Sequence, residues 1–333
     1  MNNLNILHNE ILKSLKNSNK ILITTHTNPD GDAIGSALAL YHYLMSNHIT
    51  AQVIIPDDIP RNMRFLPGAK TVESYNPVRH NYYINSADTI VFLDLNDISR
   101  TRSLSHILEQ SKAFKIVIDH HTNPKHFADL LYSDEETSST GELIYRIITS
   151  DSEFKLNKEI AECLYVAIMT DTGSFRFQRT TAEVHRIIAK LIDAGADPYS
   201  IYDNVYNQNP LNIIRLLGIA LTKMQIYFNG KVCIMTIDKN DFAATGTNFR
   251  DTEFFVDRTL SVEGVEIGIL LTEVLERGEF KISIRSKNDI KVNSIAQALG
   301  GGGHLNAAGA TIKSFSLDAA LQSVINQLTK FYM

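Results

Sequence analysis

Unbroken apolar runs of strand length alternate with stretches of helical periodicity through the first half of the chain. The runs at 21–25, 51–55, 89–94 and 114–119 have the apolar content of strands buried on both faces. An amphipathic helix is predicted at 4–15 and a largely apolar one at 33–45. Such alternation implies parallel pairing through right-handed crossovers, so the predicted fold is α/β, with an N-terminal doubly wound, mostly parallel sheet. Beyond Ser138 the pattern turns helical, at 142–148, 159–169 and 182–191, until Gly195 and Pro198 interrupt it. The segment 199–225, containing Asn209-Pro210, reads as helices linking two bodies. Strands at 232–237, 265–273 and 280–286, with helices at 292–299 and 317–331, then predict a smaller C-terminal α/β domain. The expected organisation is a first domain over 1–195, a helical linker over 196–225 and a second domain over 226–333.

The polar residues that end the buried runs change the picture from fold to chemistry. In open α/β sheets ligands collect outside the carboxyl ends of the strands. Asp119-His120-His121 closes the run at 114–118, Asp94 closes the run at 89–93, and His26, Asp30 and Asp32 follow the run at 21–25. Asp171-Thr172-Gly173 ends the helical stretch at 159–169, where a carboxylate has the wrong sign for a helix C-terminus and calls for a cation. Singly, each has a structural reading: Asp30 and Asp32 suit a turn and an N-cap, His26 a partly buried histidine. Jointly they suit a pair of divalent cations, with Asp30 and Asp32 facing separate ions. Carboxylate and imidazole donors without a nearby thiolate read as two Mn²⁺, with Mg²⁺ or Co²⁺ as alternatives. Such a pair lowers the pKa of a shared water and neutralises charge on phosphoryl oxygens. Gly35, Ser36 and the amides of the helix opening at 31–33 offer a possible cradle for phosphate oxygens, or simply close packing.

Composition narrows the partners. The net charge of −5 argues against coating long duplex nucleic acid, which needs many phosphates neutralised, but allows a short anionic substrate. No run approaches a membrane span and the start of the chain lacks a signal-peptide core, so a cytoplasmic location with no membrane partner is expected. Cys163 and Cys233, far apart in apolar stretches, read as reduced core thiols. A homodimer is compatible with this composition. In the second half, Lys281, Arg285, Lys287 and Lys291 form a basic set. The run from Gly300 to Gly303 reads either as a loop or as a place where amides approach an anion, with His304 donating to phosphate or stacking on a base. Ser286 and Asn306 are further candidates.

These residues carry a resemblance. His26-x-x-x-Asp30-x-Asp32, Asp94, Asp119-His120-His121 and Asp171 resemble the four motifs of the DHH phosphoesterase superfamily, in the same order and at similar spacing. Gly300-Gly301-Gly302-Gly303-His304-Leu305-Asn306-Ala307-Ala308-Gly309 resembles the glycine-rich signature of the DHHA1 domain. The branch it is most similar to comprises stand-alone oligoribonucleases (nanoRNases) that are also 3'-phosphoadenosine 5'-phosphate phosphatases. The resemblance implies one metal held by His26, Asp30 and Asp94 and another by Asp32, Asp94, His120 and Asp171, with Asp94 bridging. It further implies His121 beside the scissile phosphate, Asp119 orienting the histidines, and Arg285, His304 and Gly301, Gly302 and Gly303 contacting substrate. The expected substrates are short RNA oligonucleotides and 3'-phosphoadenosine 5'-phosphate. Pyrophosphate or polyphosphate hydrolysis, cyclic-dinucleotide chemistry and a regulator without turnover are the alternatives.

Overall fold

The computed structural model describes residues 3–274, 278–303 and 305–332. The chain divides into two compact units, one ending at Gln208 and the other beginning at Asn209.

The first unit opens with α1 (Asn3–Lys16), β1 (Lys20–Thr24), α2 (Gly31–Ser46), β2 (Thr50–Ile55), β3 (Val72–Ser74), α3 (Pro77–Asn85) and β4 (Thr89–Leu93). It continues with α4 (Ser105–Gln110), β5 (Phe114–Asp119), β6 (Leu130–Ser133), α5 (Thr140–Thr149), α6 (Lys158–Asp171), α7 (Ala182–Asp193) and α8 (Pro198–Tyr202). Its six strands are all parallel, in the order β3-β2-β1-β4-β5-β6. Alternate residues of each central strand feed opposite cores: Ile21, Val53, Val91 and Ile116 pack under α2, α5 and α6, while Leu22, Ile54, Phe92 and Val117 face α3 and α4. Burial on both faces is why these strands read as continuous apolar runs. The chain winds outward from β1 to β3 and returns to place β4 against β1, so the strand order switches between β1 and β4. A ligand crevice belongs there.

Three helices approach one another closely above this switch. A Cβ on Gly35 of α2 would lie 2.4 Å from the Cys163 carbonyl oxygen of α6, and one on Gly141 of α5 would lie 2.5 Å from the Ala167 Cβ. These contacts bring the N-termini of α2 and α5 to the C-terminal half of α6. Of the two readings of Gly35, close packing is the one the contacts support, and the amides of Asp32 and Ala33 donate to Asp30 Oδ1, each at 3.1 Å.

The second unit comprises α9 (Leu211–Thr222), β7 (Gln225–Tyr227), β8 (Val232–Ile237), α10 (Lys239–Thr245), β9 (Ile267–Val274) and β10 (Glu279–Ser286), then α11 (Asn293–Ala298), β11 (Gly302–Gly303), β12 (Ala307–Lys313) and α12 (Leu317–Tyr332). Its mixed sheet runs β11-β12-β10-β9-β8-β7, with only β8 and β9 parallel among the described pairs. Val232, Ile269 and Ile282 face α11 and α12, and Met235 and Leu270 face α9 and α10. Cys163 and Cys233 are buried free thiols. Among the described residues no helix is long and apolar enough to cross a membrane.

Gly35→Ala is expected to destabilise the full chain by about 1–3 kcal/mol, because backbone must move to admit the methyl group. Gly218→Ala in α9, with nothing within 4 Å of the new Cβ, is expected to stabilise by up to ~1 kcal/mol through helix propensity. Urea unfolding of both variants checks the contrast, and equal effects would contradict it.

Candidate metal centre

Asp94 stands one residue beyond β4, at the β1/β4 switch, with φ at 61°, a left-handed backbone that a non-glycine residue adopts at a cost. Its amide still donates to the Ile118 carbonyl at 3.1 Å, so strand pairing with β5 carries it past the end of β4. The residue is only 2% exposed. His26 Nε2 approaches Asp94 Oδ2 at 3.2 Å, His120 Nε2 approaches Oδ1 at 3.5 Å, and Thr140 Oγ1 donates to Oδ1 at 3.2 Å.

Asp32, in the first turn of α2, is held from the other side. Its Oδ2 accepts from the Thr140 amide at 2.7 Å and its Oδ1 from the Gly141 amide at 2.9 Å, so the open N-terminus of α5 grips this carboxylate. Ser36 Oγ also donates to Oδ1 at 3.2 Å. His120 Nε2 lies 3.7 Å from Asp32 Oδ2 and 3.4 Å from Asp171 Oδ2 at the end of α6. Asp119, fully buried, accepts from the His121 amide at 3.1 Å and from His121 Nδ1 at 2.7 Å. The His26–Asp30 loop is braced at Thr27, whose hydroxyl donates to Asp57 and whose amide donates to the Arg100 carbonyl at 2.9 Å; Asp57 also accepts from the Asn28 amide at 2.7 Å.

Potential ligand atoms fall into three groups, each within 4.8 Å: His26, Asp30 and Asp94; Asp32, His120 and Asp171; and Asp94, His120 and His121. Charge explains why this arrangement suits cations. Burial and the neighbouring charges of Asp94 and Asp171 push Asp32 well above the carboxylate range. Burial likewise raises Asp171, to about 6, with His120 opposing the rise. Burial also disfavours charge on Asp94, yet hydrogen bonds from His120 and His26 hold it well below its ordinary value. Burial would depress His120, but Asp171, Asp94 and Asp32 overrule it and raise the imidazole to about 10. Burial works against a proton on His26 too, and Asp94 outweighs it. Protons thus stand in as counter-charge among buried carboxylates, and a donor set of oxygen and imidazole without sulfur fits a divalent cation in their place.

Residues 20–168 match the model of the DHH family, N-terminal domain, and residues 229–330 match that of the DHHA1 domain. The chain is 35% identical, over 95% of its length and 90% of the relative's, to a Thermus thermophilus protein named bifunctional oligoribonuclease and PAP phosphatase NrnA. The chain belongs to the DHH family. A Bacillus subtilis protein of the same name is 26% identical over 92% of this chain and 93% of the relative. The crystal structure of an exopolyphosphatase-related protein from Bacteroides fragilis superposes with a TM-score of 0.91 at 34% identity, covering 98% of this chain and 96% of that one.

Within the first unit the fold brings together His26, Asp30, Asp32, Asp94, Asp119, His120, His121 and Asp171. In the DHHA1 domain, Arg285 ends near Asp257, with Nε 3.8 Å from Oδ1. The glycine run is a sheet edge as well as a turn: Gly302 and Gly303 pair with Gly309 and Ala308, and a Cβ on Gly301 would lie 2.0 Å from the Gly309 oxygen. Gly302 alone of Gly301, Gly302 and Gly303 has open space beside it. Asn306 Nδ2 donates to Ser286 Oγ at 3.0 Å and to the Asn288 carbonyl at 2.7 Å, pinning the β10–α11 connection, so both residues serve the loop. His304 lies outside the described residues. Sequence reasoning missed Thr140 and Gly141, although Ser139 three residues before Glu142 is the spacing that marks a helix N-terminus.

An imidazole raised to about 10 is protonated at pH 8, whereas a ligand imidazole is neutral. Metal binding to the apoprotein at pH 8 is therefore expected to release at least one proton, seen as a calorimetric enthalpy that varies with the buffer's ionisation heat. His120→Ala should release at least one fewer, and a buffer-independent wild-type enthalpy would contradict the assignment.

Proposed function

We propose that this chain is a manganese-dependent phosphoesterase that hydrolyses very short oligoribonucleotides to mononucleotides and 3'-phosphoadenosine 5'-phosphate to AMP. The observation that carries the reading is Asp94, one carboxylate shared between two groups of metal-competent side chains. The names of the Thermus thermophilus and Bacillus subtilis relatives support the choice of substrates. His26, Asp30 and Asp94 would hold one cation, and Asp32, Asp94, His120 and Asp171 the other. A pair of Mn²⁺ ions, replaceable by Mg²⁺ or Co²⁺, supplies a lowered water pKa and neutralises charge on phosphoryl oxygens.

The chain's own residues do the rest. The 2.7 Å bond between His121 Nδ1 and Asp119 commits that nitrogen to a carboxylate and orients the ring, leaving Nε2 for the substrate. From Nε2 it protonates the departing oxygen. Residues 1–195 form the catalytic domain and 226–333 the domain that selects substrate, joined through 196–225. In the latter, Arg285 offers a guanidinium to a second phosphate or terminus, and the backbone at Gly301, Gly302 and Gly303 approaches the anion, most openly at Gly302. His304 completes this set in the reading.

The test incubates metal-free protein with and without Mn²⁺ on an RNA dinucleotide, a long single strand, 3'-phosphoadenosine 5'-phosphate and pyrophosphate. Mn²⁺-dependent cleavage of the dinucleotide and the bisphosphate, absent in Asp94→Ala, is the expected result. Hydrolysis of pyrophosphate alone would replace the substrate assignment, and no hydrolysis at all would overturn it. His121→Ala is expected to bind two cations and to lose roughly 10²- to 10⁴-fold in kcat. Full turnover would remove His121 from the chemistry.

A further inference from the structure

Beside the metal-competent cluster stands a cation that the fold itself does not use. Arg100 lies in the 3₁₀ turn Ile98–Leu104 that follows β4 and Asp94. Its backbone carbonyl accepts from the Thr27 amide at 2.9 Å, which seats the turn against the loop carrying His26 and Asp30. Its side chain is half-buried, and among the described residues the guanidinium has no ion-pair or hydrogen-bond partner. A guanidinium that no group of the protein engages is available to an incoming anion. Three other cations of this unit are committed: Lys125 pairs with Asp97, Arg146 with Glu142 at 2.5 Å and Asp134 at 3.7 Å, and Arg176 Nε donates to the Gly173 carbonyl at 2.5 Å, while Arg102, two residues on, is exposed. The Arg100 charge is felt at the cluster, since burial and Arg100 both work against a proton on His26 while Asp94 and Asp30 favour one.

Charge balance says what such a group is for. Two divalent cations would be matched by the four carboxylates Asp30, Asp32, Asp94 and Asp171, so a loaded centre carries little net charge with which to attract a phosphoryl anion. A guanidinium beside it supplies that attraction, and its planar fork matches two phosphoryl oxygens. We propose that Arg100 is a substrate residue whose guanidinium grips non-bridging oxygens of the phosphoryl group held at the metal centre. This rests on the reading of that centre as a phosphoester-hydrolysing site.

The test measures orthophosphate binding to the manganese-loaded full chain by calorimetry, in wild type, Arg100→Ala and Arg100→Lys, with metal stoichiometry and affinity measured alongside. Metal binding should be unchanged. The dissociation constant for orthophosphate should rise roughly ten- to hundredfold in Arg100→Ala, the range for charge-assisted hydrogen bonds. Arg100→Lys, which keeps the charge and loses the fork, should fall between the two and keeps the test valid if the alanine variant does not fold. The kcat/KM for 3'-phosphoadenosine 5'-phosphate should drop by a similar factor in Arg100→Ala, and added guanidinium ion should restore part of it in that variant alone. Wild-type phosphate affinity in both variants overturns the proposal, as does a loss of metal affinity large enough to explain the whole change. Wild-type protein that binds orthophosphate through Arg100 but hydrolyses neither nucleotide substrate would uphold this assignment while removing the substrate reading above.

Discussion

The burial of the Asp94 carboxylate is the constraint on which the rest of the first unit turns. A charge placed 2% exposed at the end of a central strand must be matched on the spot. The fold matches it with His26 from the loop after β1, His120 from the end of β5, and the Thr140 hydroxyl from the start of α5. Each comes from a different segment, so the carboxylate ties together the switch between β1 and β4 and the helix layer above it. The left-handed backbone at Asp94 is the local cost of aiming the side chain into that junction.

Adding Asp32 and Asp171 to the same neighbourhood overshoots the available positive charge. The two carboxylates are raised and His120 holds its proton, a distribution that divalent cations would replace. The same small residues that let α2, α5 and α6 approach also determine where these side chains go. Gly35 and Gly141 admit α6, and the N-terminus of α5 then lies where its amides reach Asp32. Asp30 caps α2 through Oδ1 and still belongs to the group with His26 and Asp94, so capping and metal competence coexist in one residue.

The central strands were legible in the sequence because burial on both faces leaves an unbroken apolar signature, and the clustered carboxylates and imidazoles were legible because the rule for parallel sheets places polar sites at strand ends. What escaped is of another kind. The edge strands Val72–Ser74 and Leu130–Ser133 are short and only partly buried, so they carry no such signature. Ala307–Lys313 opens with Ala-Ala-Gly, residues of low strand preference, and is a strand because β10 pairs with it along its length. Thr140 and Gly141 meet Asp32 across more than a hundred residues, through a helix packing that local pattern does not encode. Arg100 was invisible for the same reason: its setting is fixed by a backbone bond to Thr27 on another strand's loop.

Anomalous diffraction at the manganese edge, from crystals of the full chain loaded with Mn²⁺, tests the central claim most directly. The account predicts two peaks on either side of the Asp94 carboxylate, one among His26 and Asp30 and the other among Asp32, His120 and Asp171. A single peak away from Asp94, or none at this cluster at saturating Mn²⁺, would contradict it.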